Sequence, residues 1–353
     1  MKTILLLCCL IAYLGYAMSQ SPVSLKMDCK QSLSTVDCSF EFKNDDDEDY
    51  YLLKRNTPLE GLRSPFVAVS IDGVPLLYKG YLFYCTPPKK HDFVLLEAGE
   101  SVTATVQIND IFAFASDGTY NIKYNRPLQI LSKENMELES ASGEIKSARK
   151  IEVDASVFVQ LENTNLLSRP VNKESEEEGD QVYIESCSSV ATYVGGSSST
   201  RKATTKAHKK LCSKYLRARR KVGNNATYRL WFGAYTNKHA RKVKSVLKKS
   251  RDRIARNSVK YNFRGSECDS DTYAYTCYQC DTVWLCAIYV SDPTLCRTSG
   301  TSKEGTLAHE WTHVGADTED YAYGVTDSQA LARNEPDKAV DNAESFEFYY
   351  CRA

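Results

Sequence analysis

His309-Glu310-Trp311-Thr312-His313 sets two imidazoles four positions apart. On an α-helix four residues turn through about 400°. The two side chains therefore share one face, one turn apart, and can converge on a single zinc ion. Glu310 directly follows the first histidine, within reach of a water in the open position of such an ion, where a carboxylate serves as base. The chain has only five histidines, and two of them stand here. A pentad of this kind also arises by chance on ordinary helices, so the residues that follow carry the decision. A catalytic site of this type takes a third protein ligand. Gly315 suits a helix stop, and a turn there brings Asp317, Glu319 and Asp320 back towards the metal as candidates.

The run Asp317-Thr318-Glu319-Asp320-Tyr321-Ala322-Tyr323-Gly324 resembles the GTxDxxYG motif of the aspzincins, the family of deuterolysin and the peptidyl-Lys metalloendopeptidases. The resemblance implies a zinc metalloendopeptidase with one Zn2+ per chain, held by His309, His313 and Asp320. It also implies Glu310 as the catalytic base and Tyr323 as a phenol that stabilises the oxyanion. The motif's first glycine is Asp317 here, and Asp tolerates left-handed turn geometry better than most residues. Further stretches are similar to the family: Gly305-Thr306-Leu307-Ala308 ahead of the pentad, Trp231-Phe232-Gly233-Ala234-Tyr235, Leu285-Cys286, and Asn342 to Tyr349. The resemblance covers roughly the last half of the chain. Glu344 and Glu347, three apart, fall on one helical face. By resemblance they line the pocket for the residue after the scissile bond, which two half-buried carboxylates would make selective for Lys or Arg.

The rest of the chain divides by composition. Lys2 precedes an apolar run from Ile4 to Ala12, and small residues follow, so residues 1–19 read as a secretory signal peptide. Residues 20–165 alternate apolar and polar with turn signals at strand-like spacing. Phe66 to Ile71, Asp72-Gly73 and Val74 to Tyr78 read as a hairpin; Phe112 to Ser116, Asp117-Gly118 and Thr119 to Tyr124 read as another. Val102 to Ile108 is β-branched and strand-forming. The expected fold is multidomain: an N-terminal all-β immunoglobulin-like sandwich, then a mainly α (α+β) catalytic domain at 186–353. The sandwich resembles the pro-region of the family. Residues 166–185 are polar and charged, read as a linker, and proteolytic maturation is expected between Arg169 and Ser186. Its partner would then be the chain's own pro-domain, besides protein or peptide substrates.

An oxidising compartment turns most cysteines into disulfides. The second half holds an even set, Cys187, Cys212, Cys268, Cys277, Cys280, Cys286, Cys296 and Cys351, able to close on itself as four bridges. Three in the first half, Cys29, Cys38 and Cys85, leave one over. Cys277-Tyr278-Gln279-Cys280 reads as a structural bridge, since no second CxxC accompanies it. Asn225-Ala226-Thr227 is a glycosylation sequon on Asn225.

Net charge near zero conceals a dipole. Residues 201–264 carry 22 Lys and Arg against one acid, Asp252, whereas 265–353 carry 16 acids against five bases. Leu211, Tyr215, Leu216, Val243, Val246, Leu247 and Ile254 recur at helical spacing, giving two or three amphipathic helices with basic outer faces. Such faces either complement the acidic part or attach to an anionic glycan or surface. No aromatic interleaving accompanies them, which disfavours nucleic acid. No later segment approaches a membrane span. The competing function class is a secreted glycan or surface adhesin with a non-catalytic metal site, and the presence of Glu310 and Tyr323 beside the ligand set argues for the enzyme.

Overall fold

The protein is described here from a computed structural model. It describes residues 21–353 apart from 143–144, 146–147, 171–177, 188, 257 and 298–299. The expected signal peptide, 1–19, lies outside the described residues, as do 171–177 of the stretch in which processing is expected.

The first half is β-rich. Its elements are β1 (Val23–Gln31), β2 (Val36–Asn44), β3 (Tyr50–Leu53), β4 (Val67–Ile71), β5 (Val74–Pro75), β6 (Tyr81–Cys85), β7 (Phe93–Leu96), β8 (Ser101–Gln107), β9 (Gly118–Tyr124), β10 (Leu128–Ser132), α1 (Lys133–Ser142), β11 (Arg149–Ile151) and β12 (Ser156–Leu161). All of these strands except β6 form three antiparallel sheets, in the orders β1-β2-β8, β11-β10-β3-β7 and β12-β9-β4-β5. Phe40, Phe42, Phe66, Tyr120 and Ile122 are among the side chains that fill the core beneath them. The Asp72-Gly73 turn joins β4 to β5 with φ of 50° and 75° at its two central residues, as a tight hairpin turn requires.

The second expected hairpin does not form. Residues 112–116 make no strand, and β9 pairs instead with β4 and β12. The Asp117 carboxylate explains the departure: it accepts from the backbone N–H groups of Asn163 and Thr164 at 2.9 Å each. A turn residue thereby ties the start of β9 to the end of β12, rather than closing a local loop.

The second half contains β13 (Asp180–Ile184), β14 (Ser189–Val194), α2 (Ser198–Lys221), α3 (Ala226–Phe232), α4 (Asn237–Arg256), β15 (Val259–Asn262), β16 (Thr272–Cys277), β17 (Thr282–Leu285), α5 (Ala287–Ser291), α6 (Lys303–Ala316), α7 (Gly324–Asn334), α8 (Pro336–Ala339) and α9 (Ala343–Arg352). Its sheet has the order β13-β14-β15-β17-β16-β6. β14, β15 and β17 run parallel and β16 antiparallel to them. The last strand, β6, comes from the N-terminal half. Within the expected 166–185 linker, Asp180–Ile184 forms β13 and pairs residue by residue with β14, and Ile184 is fully buried.

The basic segment folds as α2, α3 and α4. Leu211, Tyr215, Val243, Val246, Leu247 and Ile254 face the core, while Leu216 is half-buried. Cysteine parity resolves as Cys187–Cys212, Cys268–Cys286, Cys277–Cys280 and Cys296–Cys351, with Cys29–Cys38 in the first half and Cys85 left as a buried thiol.

The pentad lies on α6. Ser302 caps the helix by accepting from the Gly305 N–H at 3.0 Å. The helix does not stop at Gly315, as the sequence suggested, but at Asp317, which adopts the left-handed conformation with φ 54° and donates its N–H to the His313 carbonyl. Gly315 serves packing instead. A Cβ there would lie 2.7 Å from Ser250 Cα on α4, closer than two carbons can approach. Gly315→Ala is expected to force α4 and α6 apart at a cost of about 1–3 kcal/mol, read as a lowered midpoint in thermal denaturation. An unchanged midpoint would remove the close-approach argument.

Candidate active site

α6 is buried on nearly every side, with α4, α2 and α9 packed around it. Two polar contacts hold it in rotation and height: the Tyr215 hydroxyl donates to the Ala308 carbonyl at 2.6 Å, and the Trp311 indole N–H donates to the Tyr261 hydroxyl at 3.0 Å. His309, Glu310 and His313 are all fully buried. After the cap at Asp317 the chain turns back. The Asn342 side-chain oxygen accepts from the backbone N–H groups of Tyr321 and Ala322 at 2.9 and 3.1 Å, fixing that return.

The return brings Asp320 against both histidines. Its Oδ1 lies 3.2 Å from His309 Nε2, its Oδ2 lies 3.2 Å from His313 Nε2, and the two Nε2 atoms are 3.1 Å apart. Ligand atoms at about 2.0–2.1 Å from a tetrahedral zinc stand roughly 3.3–3.4 Å from one another, so this spacing suits one ion. The other ring nitrogens each face an oxygen. His313 Nδ1–H donates to the Thr318 carbonyl at 2.6 Å, and His309 Nδ1 faces Glu344 Oε2 at 3.3 Å. Each contact turns the Nε2 lone pair towards the shared space. The buried oxygens of Asp320 and Glu310 find no hydrogen-bond donor among the described residues, a costly arrangement unless a cation or water joins them. The donor set and its spacing therefore fit zinc.

Of the other carboxylates considered, Asp317 is the exposed helix cap. Glu319 accepts from the buried Arg126 of the N-terminal half and from the Tyr278 hydroxyl. Burial pushes the Glu310 carboxyl up to about 7, although His309 and His313 pull it down. Burial disfavours charge on the two histidines, yet Asp320 outweighs it and raises both in the metal-free chain.

Tyr323 sits at the start of α7, and its hydroxyl donates to the backbone carbonyl of Phe83 at 2.8 Å. Glu344 and Glu347 lie on α9, each 1% exposed, deeper than the half-buried pocket expected. Glu344 Oε1 accepts from the Gly324 N–H at 3.0 Å and from the Tyr84 hydroxyl at 3.4 Å. Burial, and then Glu344 beside it, hold the Glu347 carboxyl well above the usual range. Asn225 is exposed and caps α3 by accepting from the Tyr228 N–H.

Sequence reading missed Phe83, Tyr84 and Arg126, which approach this centre from the far half of the chain. The aromatic run Tyr81-Leu82-Phe83-Tyr84 marks a strand, but nothing local says which sheet it joins.

The aspzincin family model, described as lysine-specific metallo-endopeptidase, matches residues 217–351. A peptidyl-Lys metalloendopeptidase of Pleurotus ostreatus is 32% identical over 133 residues, which cover 36% of this chain and 74% of that protein. The chain belongs to the aspzincin family. An extracellular protease of Aeromonas hydrophila is 25% identical over 307 residues, covering 81% of this aspzincin and 79% of the relative, so the likeness extends into the β-rich half. The solved zinc peptidase from Grifola frondosa aligns over 44% of this chain and 97% of its own, at 27% identity and a TM-score of 0.39. As an aspzincin, the protein is a metallopeptidase that hydrolyses peptide bonds. Among the described residues, no helix is long and apolar enough to cross a membrane.

Proposed function

We propose that this aspzincin is a secreted endopeptidase made as a zymogen, with one zinc held by His309 Nε2, His313 Nε2 and Asp320. The observation that carries the reading is the convergence of those donors within 3.2 Å of one another, beside the unpaired Glu310 carboxylate. Zinc supplies Lewis acidity, which acidifies a water and polarises the substrate carbonyl. Glu310 takes the proton of the attacking water and returns it to the leaving amine. Tyr323 donates its hydroxyl to the oxygen on which negative charge develops. In its support, that hydroxyl already donates to a peptide carbonyl, that of Phe83. Tyr323→Phe is expected to lower kcat roughly 10²-fold with little change in KM; equal kcat would remove the phenol from the mechanism.

A preference for Lys or Arg after the scissile bond rests on Glu344 and Glu347. Two carboxylates buried side by side favour a cation between them, and several relatives are named peptidyl-Lys metalloendopeptidases. The half from 20 to 165, read as an immunoglobulin-like pro-region, restrains the enzyme by laying β6 across the site. Arg126 against Glu319 and Arg63 against Asp269 add ion pairs between the halves. Maturation by a cut between Arg169 and Ser186 then frees the cleft; β13 stays with the enzyme if the cut precedes Asp180. An N-terminus near Gln20 on active secreted protein would sink the processing proposal.

Attachment to an anionic glycan is a further element of the reading. Lys214 and Lys242 pair with Glu304 and Asp341, whereas Lys202, Lys206, Lys209, Lys210, Arg217 and Arg220 form an exposed basic face on α2. Retention on heparin that falls steeply with salt is the expected result; elution at the salt of a neutral protein would exclude it.

The deciding experiment is cleavage of a denatured protein by processed protein, with and without a chelator, the cut sites mapped by mass spectrometry. Chelator-sensitive cleavage is expected. No cleavage by zinc-loaded, processed protein would favour the binding-protein alternative.

A further inference from the structure

Without β6, the strand β16 would be the free edge of the catalytic sheet. A free edge presents unpaired N–H and carbonyl groups, and extended peptides bind by adding a strand to it. β6 does this in an antiparallel sense, with Tyr81 opposite Cys277, Leu82 opposite Thr276, Phe83 opposite Tyr275 and Tyr84 opposite Ala274. The added strand comes from a part of the chain about 190 residues away, and it runs past His309 and Tyr323.

Two consecutive residues of β6 meet the functional groups one by one. The Phe83 carbonyl accepts from Tyr323. The next side chain, Tyr84, is buried with its ring flat against the His309 imidazole, 4.0 Å between centroids and 10° between planes. Its hydroxyl reaches Glu344 Oε1. Alternation along the strand sends Phe83 and Tyr81 to the other face, where both lie on Tyr275. Beyond Tyr84 the chain borders a cavity of about 500 Å³ whose lining includes Cys85, Pro87, Tyr273, Val325 and Glu344.

We infer that β6 occupies the cleft in the register of a substrate, with the Phe83–Tyr84 peptide bond in the place of the scissile bond and Tyr84 plugging the Glu344/Glu347 pocket. The inference rests on the proposed function and gives that site its substrate geometry. Substrates bind as a strand antiparallel to β16, their carbonyl at Tyr323 and the following side chain against Glu344 and Glu347. Tyr84 makes the strand a plug rather than a substrate. Its phenol meets the Glu344 and Glu347 carboxylates with a neutral hydroxyl, and its ring covers His309. A lysine offers the paired carboxylates an ammonium group and leaves the imidazole face uncovered.

The inference predicts a conversion. In full-length, zinc-loaded protein, Tyr84→Lys turns the restraint into a substrate. Water adds its hydroxyl to the Phe83 carbonyl carbon, the bond to the nitrogen of residue 84 breaks, and that nitrogen takes the proton. Mass spectrometry should find a chain ending at Phe83, formed roughly 100-fold or more faster than in the wild type. Formation should be first order at all protein concentrations, blocked by a chelator, and absent when Glu310→Gln is added. A trypsin-like contaminant would cut on the other side of the new lysine. Cutting elsewhere in β6, or no cutting by a folded variant, overturns the register.

Should the variant not fold, a synthetic peptide covering residues 80–86, with Ser in place of Cys85, tests the same point on processed wild-type protein. Competitive inhibition by this peptide is expected, and cleavage after its Phe once Lys replaces its Tyr. Absence of competition, or cleavage at another bond, overturns the inference while cleavage of denatured protein leaves the proposed function standing. Failure to cleave denatured protein at all removes both.

Discussion

Replacing Glu310 by Gln is expected to lower kcat roughly 10²- to 10⁴-fold while zinc remains bound at the wild-type stoichiometry. Gln keeps the shape of the side chain and removes its ability to take a proton. Glu310 has no hydrogen-bond donor among the described residues and is fully buried, so the substitution strands no partner and should not disturb α6. In the metal-free chain burial pushes its carboxyl up to about 7; a bound cation beside it would pull that value down and keep the carboxylate free to take a proton. Steady-state kinetics on processed protein, with zinc measured by atomic spectrometry on the same sample, separates the outcomes. Activity within about threefold of wild type would mean that another group is the base, and parallel loss of zinc would mean that Glu310 helps hold the metal.

His309→Ala or His313→Ala is expected to abolish activity by losing the ion itself. Each supplies one of three donors that stand 3.1–3.2 Å apart, and the remaining pair cannot complete a closed coordination set. Replacing even a supporting group around a metal typically weakens binding by about 10- to 100-fold, so removal of a direct ligand should exceed that. Zinc content after dialysis and an isothermal zinc titration measure it. The two classes of variant differ in signature: Glu310→Gln keeps zinc and loses turnover, the histidine variants lose both. A histidine variant that kept one zinc per chain would move the ion away from α6.

The parts of this site that were legible in the sequence are those fixed by local geometry. A four-residue spacing on a helix brings His309 and His313 together whatever surrounds them. Asp317 in the place of a glycine signalled a left-handed turn, and it has φ 54°. Helical periodicity in the basic segment marked its buried faces because burial depends on the turn angle of one element. Cysteine parity could suggest four bridges in the second half without pairing them, since connectivity depends on which loops meet.

Other features resisted for the complementary reason. Gly315 read as a helix stop because local rules see a flexible residue, whereas its use is set by the backbone of α4 at Ser250. Asp117-Gly118 read as a hairpin turn, but the Asp117 carboxylate found backbone donors 46 residues away at Asn163. The acids at Glu344 and Glu347 could be assigned to one helix face, yet the packing of α9 beneath α6 decided that they lie fully buried beside His309.

The sequence by itself determined the chemistry offered: two imidazoles on one helix face, a carboxylate between them, an acidic turn after them, and a phenol three residues beyond Asp320. Only the tertiary structure decided what lies opposite that chemistry. β6 pairs with β16 through hydrogen bonds between backbone groups, which every residue carries alike and which leave no mark in a side-chain pattern. Which strand would lie across α6 was therefore set by the docking of two halves, and that docking puts the Phe83 carbonyl on Tyr323 and the Tyr84 ring on His309.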